Sequence, residues 1–194
     1  MAHVIEIGAY GVDLNGTPQR FESLCNPGID LRGCEEALKI NGIREGEVLA
    51  ARPIKEVADD FLEWLVRFSY EMDYEVILAG YNSDNYDGPI LARSPWDLSP
   101  KLWKFDVMKM SIPPMDEAGV LPHHPYYKTP KWPKLSEAER FFGITREGTA
   151  HRALSDAKAT YDILIKLLNV QKTGPEKEGA SPVGNDTVQE REVI

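Results

Sequence analysis

An imidazole and a carboxylate stand five residues apart in the C-terminal part of the chain. His151 precedes the segment RALSDAKATYDILIKLL, whose apolar residues recur every three or four positions, and Asp156 lies in its first turns. This periodicity predicts an amphipathic helix that begins at about Arg152. Imidazole accepts and releases protons near neutral pH, and carboxylates bind hard divalent cations. The pair is therefore a candidate for general-base chemistry beside a metal ion.

The spacing of these two residues does not place them on one face of a helix. Five positions correspond to roughly 140° of rotation at about 100° per residue. We therefore expect His151 to lie in the preceding loop, freed by Gly148 and Thr149, so that it reaches the same cleft as Asp156. Taken alone, the pattern favours a structural role, because a helix dipole stabilises an acidic residue near its first turn.

A polar segment further upstream supplies a second group of candidates. The sequence Tyr81-Asn82-Ser83-Asp84-Asn85-Tyr86-Asp87 follows residues 76–80, a short apolar run typical of a strand buried on both faces. Open α/β sheets bind their ligands beyond the C-terminal ends of the strands. Asp87 is accordingly either a helix cap or a metal ligand, and Asn82 either a turn residue or a group that orients the site.

Composition and charge narrow the class of protein. The formal net charge of −9 argues against a broad surface that coats nucleic acid, but not against an enzyme that grips one strand end. Two cysteines, Cys25 and Cys34, favour reduced thiols in a cytosolic protein over a disulfide scaffold. Apolar runs are too short to cross a bilayer, and we find no secretory signal. We therefore predict a cytoplasmic protein without membrane association.

The remaining elements predict an α/β fold with a mixed central sheet and helices on both faces. Strands are expected over residues 3–12, 21–25, 76–80 and, at an edge, 102–110. Helices are expected over residues 34–40, 54–68, 135–142 and 152–170, with another helix after Asp87. A long loop is expected over residues 111–133. Residues 1–170 are expected to form one domain, and residues 171–194 a disordered tail.

Several residues of the predicted loop and its flanks are weaker candidates. Asp106 ends a strand, and we favour a structural role for it over a supporting contact to the site. We interpret His123 and His124 as an exposed pair and not as metal ligands. Aromatic side chains in this stretch either stack on bases or pack beneath the loop, and lysines there are candidates for phosphate contacts; these residues are Tyr126, Tyr127, Trp132, Lys128, Lys131 and Lys134.

Together, the two polar segments resemble motifs of the DEDDh 3′–5′ exonucleases, the DnaQ-like family with an RNase H-like fold. GYNSDNYDGPIL is similar to the second motif of that family, and HRALSDAKATYD is similar to the third. VIEIGAYGVD resembles the strand after the first motif, and KLSEAERFFGI resembles the helix before the third. The resemblance extends from about residue 3 to residue 168.

The resemblance implies a role for each candidate residue. Asp87 and Asp156 correspond to metal-binding carboxylates, His151 to the general base that deprotonates the attacking water, and Asn82 and Tyr86 to substrate contacts. Two Mg²⁺ or Mn²⁺ ions about 4 Å apart would activate the water and stabilise the leaving 3′ oxygen. The implied partner is a single-stranded 3′ end of DNA or RNA, with a polymerase or another replication or repair protein as a further partner.

The chain departs from the family pattern at the first motif. That motif is an Asp-x-Glu on the strand before residues 4–12, whereas this chain begins at Met1; Glu6 lies in the following strand and does not replace it. We expect the natural protein to carry such a strand upstream, because it would complete both the sheet and the carboxylate set. The rival interpretation is a catalytically dead exonuclease-like module that binds nucleic acid or a protein partner.

Overall fold

The structure is a computed structural model that describes residues 3–13, 15–72, 76–93, 95–98 and 103–173. Its strands are β1 (Glu6–Val12), β2 (Pro18–Leu24), β3 (Leu78–Gly80) and β4 (Trp103–Asp106), and its helices are α1 (Glu35–Asn41), α2 (Glu45–Ala50), α3 (Ile54–Met72), α4 (Asp87–Leu91), α5 (Val107–Glu117), α6 (Leu135–Phe142) and α7 (Ala153–Thr173). The mixed α/β class predicted from the sequence is confirmed. The predicted tail lies outside the described residues beyond Thr173, the residue to which α7 extends.

The strands pair two by two within the described residues. β1 and β2 form an antiparallel hairpin in which Glu6 lies opposite Leu24 and Val12 opposite Pro18. β3 and β4 pair in parallel, with a register shift after Leu78. No described hydrogen-bond ladder joins the two pairs. Helix α7 packs against β1, β2 and β3, and therefore bridges both pairs.

Strand β1 carries helices on both of its faces, because successive side chains of a strand point in opposite directions. Ile7 is 6% exposed and belongs to the core cluster that contains Phe61 of α3, and Ala9 packs against the same cluster. On the opposite face, the ring centroid of Tyr10 lies 5.1 Å from that of Tyr161 on α7. This alternation confirms the predicted layering.

The largest departure from the sequence-based prediction lies between residues 103 and 117. The strand expected over 102–110 ends at Asp106, where helix α5 begins. The Asp106 carboxylate accepts hydrogen bonds from the backbone N–H groups of Met108 at 3.1 Å and Lys109 at 3.3 Å. These bonds satisfy donors that the first turn of a helix leaves without intrahelical partners. The prediction was wrong because the cap interrupts a segment whose residue types favour a strand.

Helix α5 contains Pro113 and Pro114, two of the residues on which the prediction of a long loop depended. A proline inside a helix costs about 3 kcal/mol, because it removes a hydrogen bond and its ring clashes with the preceding turn. The helix offsets this cost by burying one face, which comprises Val107, Met108, Ser111 and Met115. The loop predicted over 111–133 therefore begins only after Glu117.

Both cysteines are free thiols. Cys25 is fully buried, and its Sγ donates a hydrogen bond to the carbonyl oxygen of Val4 at 3.3 Å. Burial, reinforced by the charge of Glu6, raises the pKa of the Cys25 thiol to about 11. Because thiolates are the reactive form of cysteine, this side chain is an inert part of the core.

Among the described helices, none combines the length and the apolar character that crossing a bilayer requires. Even α3 and α7, with 19 and 21 residues, are amphipathic segments that carry charged side chains. Both helices instead pack against the strands of the fold.

Candidate functional site

The segment after β3 is a tight turn fastened to Asp106. Asn82 has a backbone φ of 59°, in the left-handed region that asparagine tolerates better than most residues. Its N–H donates to Oδ1 of Asp106 at 3.0 Å, and the N–H of Asp84 donates to Oδ2 at 3.3 Å. The carbonyl oxygen of Asn82 accepts from the N–H groups of Asn85 and Tyr86, both at 3.2 Å. The structural role predicted for Asp106 is thus confirmed.

Asp87 begins helix α4, at the end of this turn. No hydrogen bond or ion pair to its carboxylate occurs in the described part of the chain. Its side chain is open to solvent, yet the surrounding atoms displace part of its hydration, and this desolvation together with the nearby charge of Asp106 raises the pKa of Asp87 to about 6. The neighbouring Tyr86 is 62% exposed. This turn therefore presents an exposed carboxylate and a phenol to solvent.

His151 lies in the loop directly before α7, as the sequence predicts. Its backbone φ is 66°, a left-handed conformation that costs free energy for any residue with a Cβ atom. Such conformations concentrate at functional sites, where the surrounding structure holds them in place. The imidazole is exposed. Two of the predicted site residues, His151 and Asn82, are therefore among the few described non-glycine residues with positive φ.

Glu6 holds the start of α7 against β1. Its carboxylate, 5% exposed, accepts from Nε of Arg152 at 2.9 Å, from Nη2 of Arg152 at 2.6 Å, and from the backbone N–H of Ala153 at 2.9 Å. One buried carboxylate thus satisfies a helix N-terminus and neutralises the arginine that follows His151. Glu6 positions the site from β1, in agreement with the non-catalytic role expected for it.

We expect Glu6→Gln to lower the free energy of unfolding by about 2 kcal/mol, since hydrogen bonds to charged groups contribute roughly 1.5–3 kcal/mol. A glutamine amide would turn N–H donors toward the donors of Arg152. Glu22→Gln is the matched control, because Glu22 also pairs with Arg152 but at 3.8 Å and with 43% of its side chain exposed. That control should change stability by less than about 1 kcal/mol. Urea unfolding measures both values, and equal losses would contradict the assigned role of Glu6.

Asp156 is bound by an arginine that the sequence analysis did not single out. Nη1 of Arg146 donates to Oδ1 of Asp156, while Nη2 of Arg146 lies 2.7 Å from Oε1 of Glu139. The Glu139 contact is an ion pair without hydrogen-bond geometry. The side chains of Arg146 and Glu139 are 17% and 11% exposed, so the guanidinium bridges two acids in a largely buried setting. Arg146 thereby neutralises the carboxylate that sequence reasoning assigns to a metal.

The predicted site residues fall into two groups. Asn82, Tyr86 and Asp87 occupy the turn after β3, whereas His151 and Asp156 occupy the head of α7. No hydrogen bond or ion pair links the two groups within the described residues. Helix α7 packs against β3, the strand that leads into the turn of the first group.

These side chains do not assemble into a metal centre. In the described ranges, no group of three or more His, Cys, Asp or Glu side chains is arranged so that it could hold a metal ion. Asp87 has no hydrogen-bonding or ionic partner among the described residues, whereas Asp156 is engaged by Arg146. Divalent cations need several oxygen ligands. The described donor set therefore does not, by itself, fit the two-ion site expected from the sequence.

Sequence reasoning missed the contributions of Arg146 and Glu139 because they arise from long-range geometry. Glu139 lies on α6, Arg146 in the following loop and Asp156 on α7, so no single helical or strand period relates them. The sequence indicates only that Glu139 is an acidic residue in the second half of an amphipathic helix. Such a residue is ordinarily solvated.

Comparison with known proteins agrees with the fold and with the motifs. The exonuclease family model, RNase T, matches residues 2–164. No curated protein sequence matches the chain. Among solved structures, the crystal structure of cell-death related nuclease 4 matches with a TM-score of 0.65 and 17% identity, covering 87% of this chain and 57% of that one. The chain thus spans little more than half the length of that nuclease.

A second solved structure matches with a TM-score of 0.57 and 15% identity. It shows the 3′-end specific recognition of a histone mRNA stem-loop by a 3′-exonuclease. It covers 87% of this chain and 84% of the other. Because both sequence identities are low, the two structural similarities show a shared fold only. The family match, in contrast, spans β1 through most of α7 and includes every candidate residue described above. This chain belongs to the RNase T exonuclease family.

Proposed function

We propose that the chain is a 3′–5′ exonuclease of the DEDDh type that hydrolyses phosphodiester bonds at single-stranded 3′ ends of DNA or RNA. The observation that carries the proposal is the head of α7, where His151 has a left-handed backbone conformation five residues before Asp156. Membership in an exonuclease family supports hydrolysis. The second solved relative is a 3′-exonuclease, which supports the polarity.

Each residue of the site has a proposed role. The exposed His151 imidazole accepts the proton of the attacking water, because histidine is the side chain that most often serves as a general base. Asn82 and Tyr86 hold the terminal nucleotide, and the solvent-facing position of Tyr86 supports that assignment. Asp87 and Asp156 are the carboxylates proposed for Mg²⁺ or Mn²⁺, the class of cofactor that this family uses.

The family also favours the enzyme over a catalytically dead binding module, because the matched domain and both solved relatives are nucleases. A cytoplasmic location, suggested by the two free thiols, belongs to the proposal as well. Recruitment by a polymerase or another replication or repair protein is a further part of it. The location and the recruiting partner describe where the proposed enzyme acts, and neither changes the proposed hydrolysis.

The proposal is tested with an oligonucleotide labelled at its 5′ end and incubated with Mn²⁺. We expect a ladder of products that shorten one nucleotide at a time from the 3′ end, measured with this chain and with a form extended upstream by its own gene. His151→Ala should lower the rate by about 10²- to 10⁴-fold, the usual contribution of a general base. His3→Ala, which removes another exposed histidine, is the control and should leave the rate unchanged. Internal cuts, or equal rates for both variants, would contradict the proposal.

A further inference from the structure

Residues 122–132, here called the aromatic turn, fold into a compact projection with their rings outside. The backbone N–H of His124 donates to the carbonyl of Thr129 at 2.8 Å, and the N–H of Lys128 donates back to the carbonyl of His124 at 2.9 Å. The N–H of Lys131 closes the turn on the carbonyl of Pro122 at 2.8 Å. The sequence left open whether the aromatic residues here pack beneath the loop. In the structure, Tyr126, Tyr127 and Trp132 are exposed and do not pack beneath the loop.

Two side chains of the aromatic turn, Tyr126 and Tyr127, are the most exposed aromatic residues among those whose burial the structure describes. Tyr126 is 82% exposed, Tyr127 is 71% exposed and Trp132 is 55% exposed. The two tyrosine rings lie 5.2 Å apart, edge to face, and the Tyr127 ring lies 4.9 Å from that of His124. Nδ1 of His124 accepts from the backbone N–H groups of both tyrosines, at 3.3 and 3.2 Å. Their backbone is therefore fixed while their faces remain available for stacking.

The aromatic turn itself carries lysines and no acidic residue, in a chain that is otherwise acidic. Residues 118–136 contain no Asp or Glu, although the whole chain has 31 acidic residues, and they include Lys128, Lys131 and Lys134. Lys131 is engaged by Glu137 at 2.7 Å. Lys128 has a φ of 56° next to the two tyrosines, is exposed, and forms no ion pair within the described residues. In that part of the chain, a lysine without an ionic partner thus directly follows the two exposed tyrosines in sequence.

The aromatic turn is anchored to the candidate site. The hydroxyl of Tyr81 donates to the carbonyl oxygen of Pro133 at 3.0 Å, and Tyr81 directly precedes Asn82. His123 contacts Asp116 of α5 at 2.5 Å, which fixes the other end of the turn. Because both attachments are to elements that flank Asp106, the turn has a defined position relative to the polar segment after β3.

We propose that the aromatic turn is a binding platform for the single-stranded nucleic acid substrate, engaging nucleotides that precede the 3′ end. Bases stack on Tyr126 and Tyr127, and Lys128 contacts a backbone phosphate. Stacking on aromatic side chains with a cation beside them is the usual way in which proteins hold single strands without reading sequence. The inference rests on the proposed function for the identity of the strand, and it adds a site that stands apart from the reacting residues.

The platform is tested by binding, independently of cleavage, with the chain in EDTA. Fluorescence anisotropy measures the Kd for labelled oligo-dT and oligo-rU of twelve nucleotides. We expect Tyr126→Ala/Tyr127→Ala to weaken binding by about tenfold or more for each ring removed, whereas Tyr126→Phe/Tyr127→Phe retains it, because stacking needs the ring and not the hydroxyl. Val66→Ala, which trims a side chain that is 68% exposed on α3, is the control and should have no effect.

The cationic contact has a separate signature. Lys128→Gln should make the slope of log Kobs against log salt concentration less steep by about 0.7, the value for one phosphate contact on a single strand. Lys39→Gln, on the exposed surface of α1, should leave the slope unchanged. Wild-type binding by the double alanine variant, or equal losses in the alanine and phenylalanine variants, would overturn the platform. If binding depends on the platform but no hydrolysis occurs, only the proposed function is refuted. Comparison of oligo-dT with oligo-rU separates a preference for DNA from a preference for RNA.

Discussion

Asp156→Asn is expected to lower the turnover of the proposed exonuclease by about a thousandfold. The substitution preserves the size and shape of the side chain and removes only its charge. A divalent cation held at Asp156 would supply several kcal/mol of transition-state stabilisation, and 1.36 kcal/mol corresponds to a factor of ten in rate. Gel analysis of oligonucleotide shortening under single-turnover conditions measures the effect.

Asp162→Asn is the matched control for this experiment. Asp162 lies on the same helix and, like Asp156, is paired with a cation; its Oδ2 lies 2.6 Å from Nζ of Lys158. The two carboxylates have similar exposures, 28% for Asp162 and 36% for Asp156. We expect Asp162→Asn to change turnover by no more than about twofold, because it removes a helix ion pair worth roughly 0.3–0.5 kcal/mol of stability and no group with a proposed role in the reaction. Equal losses in both variants would show that the role of Asp156 is structural.

A second readout separates cation binding from folding. Asp156→Asn leaves Arg146 with Glu139 as its remaining acidic partner. Far-ultraviolet circular dichroism should therefore show an intact fold. Calorimetric titration with Mn²⁺ should give weaker binding for Asp156→Asn than for the wild type, and unchanged binding for Asp162→Asn. Unchanged Mn²⁺ affinity in both variants would argue against Asp156 as a ligand.

Gly8→Ala should be among the most destabilising single-methyl substitutions in this chain. A Cβ atom on Gly8 would lie 2.2 Å from the backbone nitrogen of Leu154 and 2.4 Å from the carbonyl carbon of Ala153. Both atoms belong to the first turn of α7, so relief requires the helix itself to move away from β1. Overpacking usually costs about 1–3 kcal/mol, and contacts with backbone atoms fall at the upper end of that range.

For a chain of this size, a loss of about 3 kcal/mol corresponds to a decrease in Tm of roughly 6–12 °C. Gly46→Ala in α2 is the control, because a Cβ there meets no atom within 4 Å. Alanine should stabilise that helix by about 0.5–1 kcal/mol. Differential scanning calorimetry compares the two variants. A Tm for Gly8→Ala equal to that of the wild type would mean that β1 and α7 pack less closely than the structure indicates.

The elements predicted well from the sequence are those whose local signals agree with one another. Helix α6 has the predicted bounds, 135–142, and ends at Gly143, which adopts a φ of 65°. Helix α3 begins at the predicted Ile54 and continues to Met72, beyond the expected end at residue 68. Periodicity and a terminating glycine are properties of a short segment, so they can be read without knowledge of the partners.

The features that escaped prediction depend on contacts between distant segments. Helix α5 exists because Asp106 caps it and its apolar face is buried, and both facts overrule the local preference against Pro113 and Pro114. The ion pairs of Arg146 link an α6 residue to an α7 residue. The partner of the strand at residues 76–80 also remained open, since such an apolar run gives no partner and no register.

The four hydrogen bonds accepted by Asp106 have a consequence for redesign of this domain. Two come from the turn after β3, at Asn82 and Asp84, and two come from the first turn of α5, at Met108 and Lys109. A single carboxylate therefore links the turn after β3 to the start of α5, so the two segments form one structural unit. Anyone who grafts the turn that bears Asp87 into a homologous scaffold, or changes its length, must carry Asp106 and its helix with it.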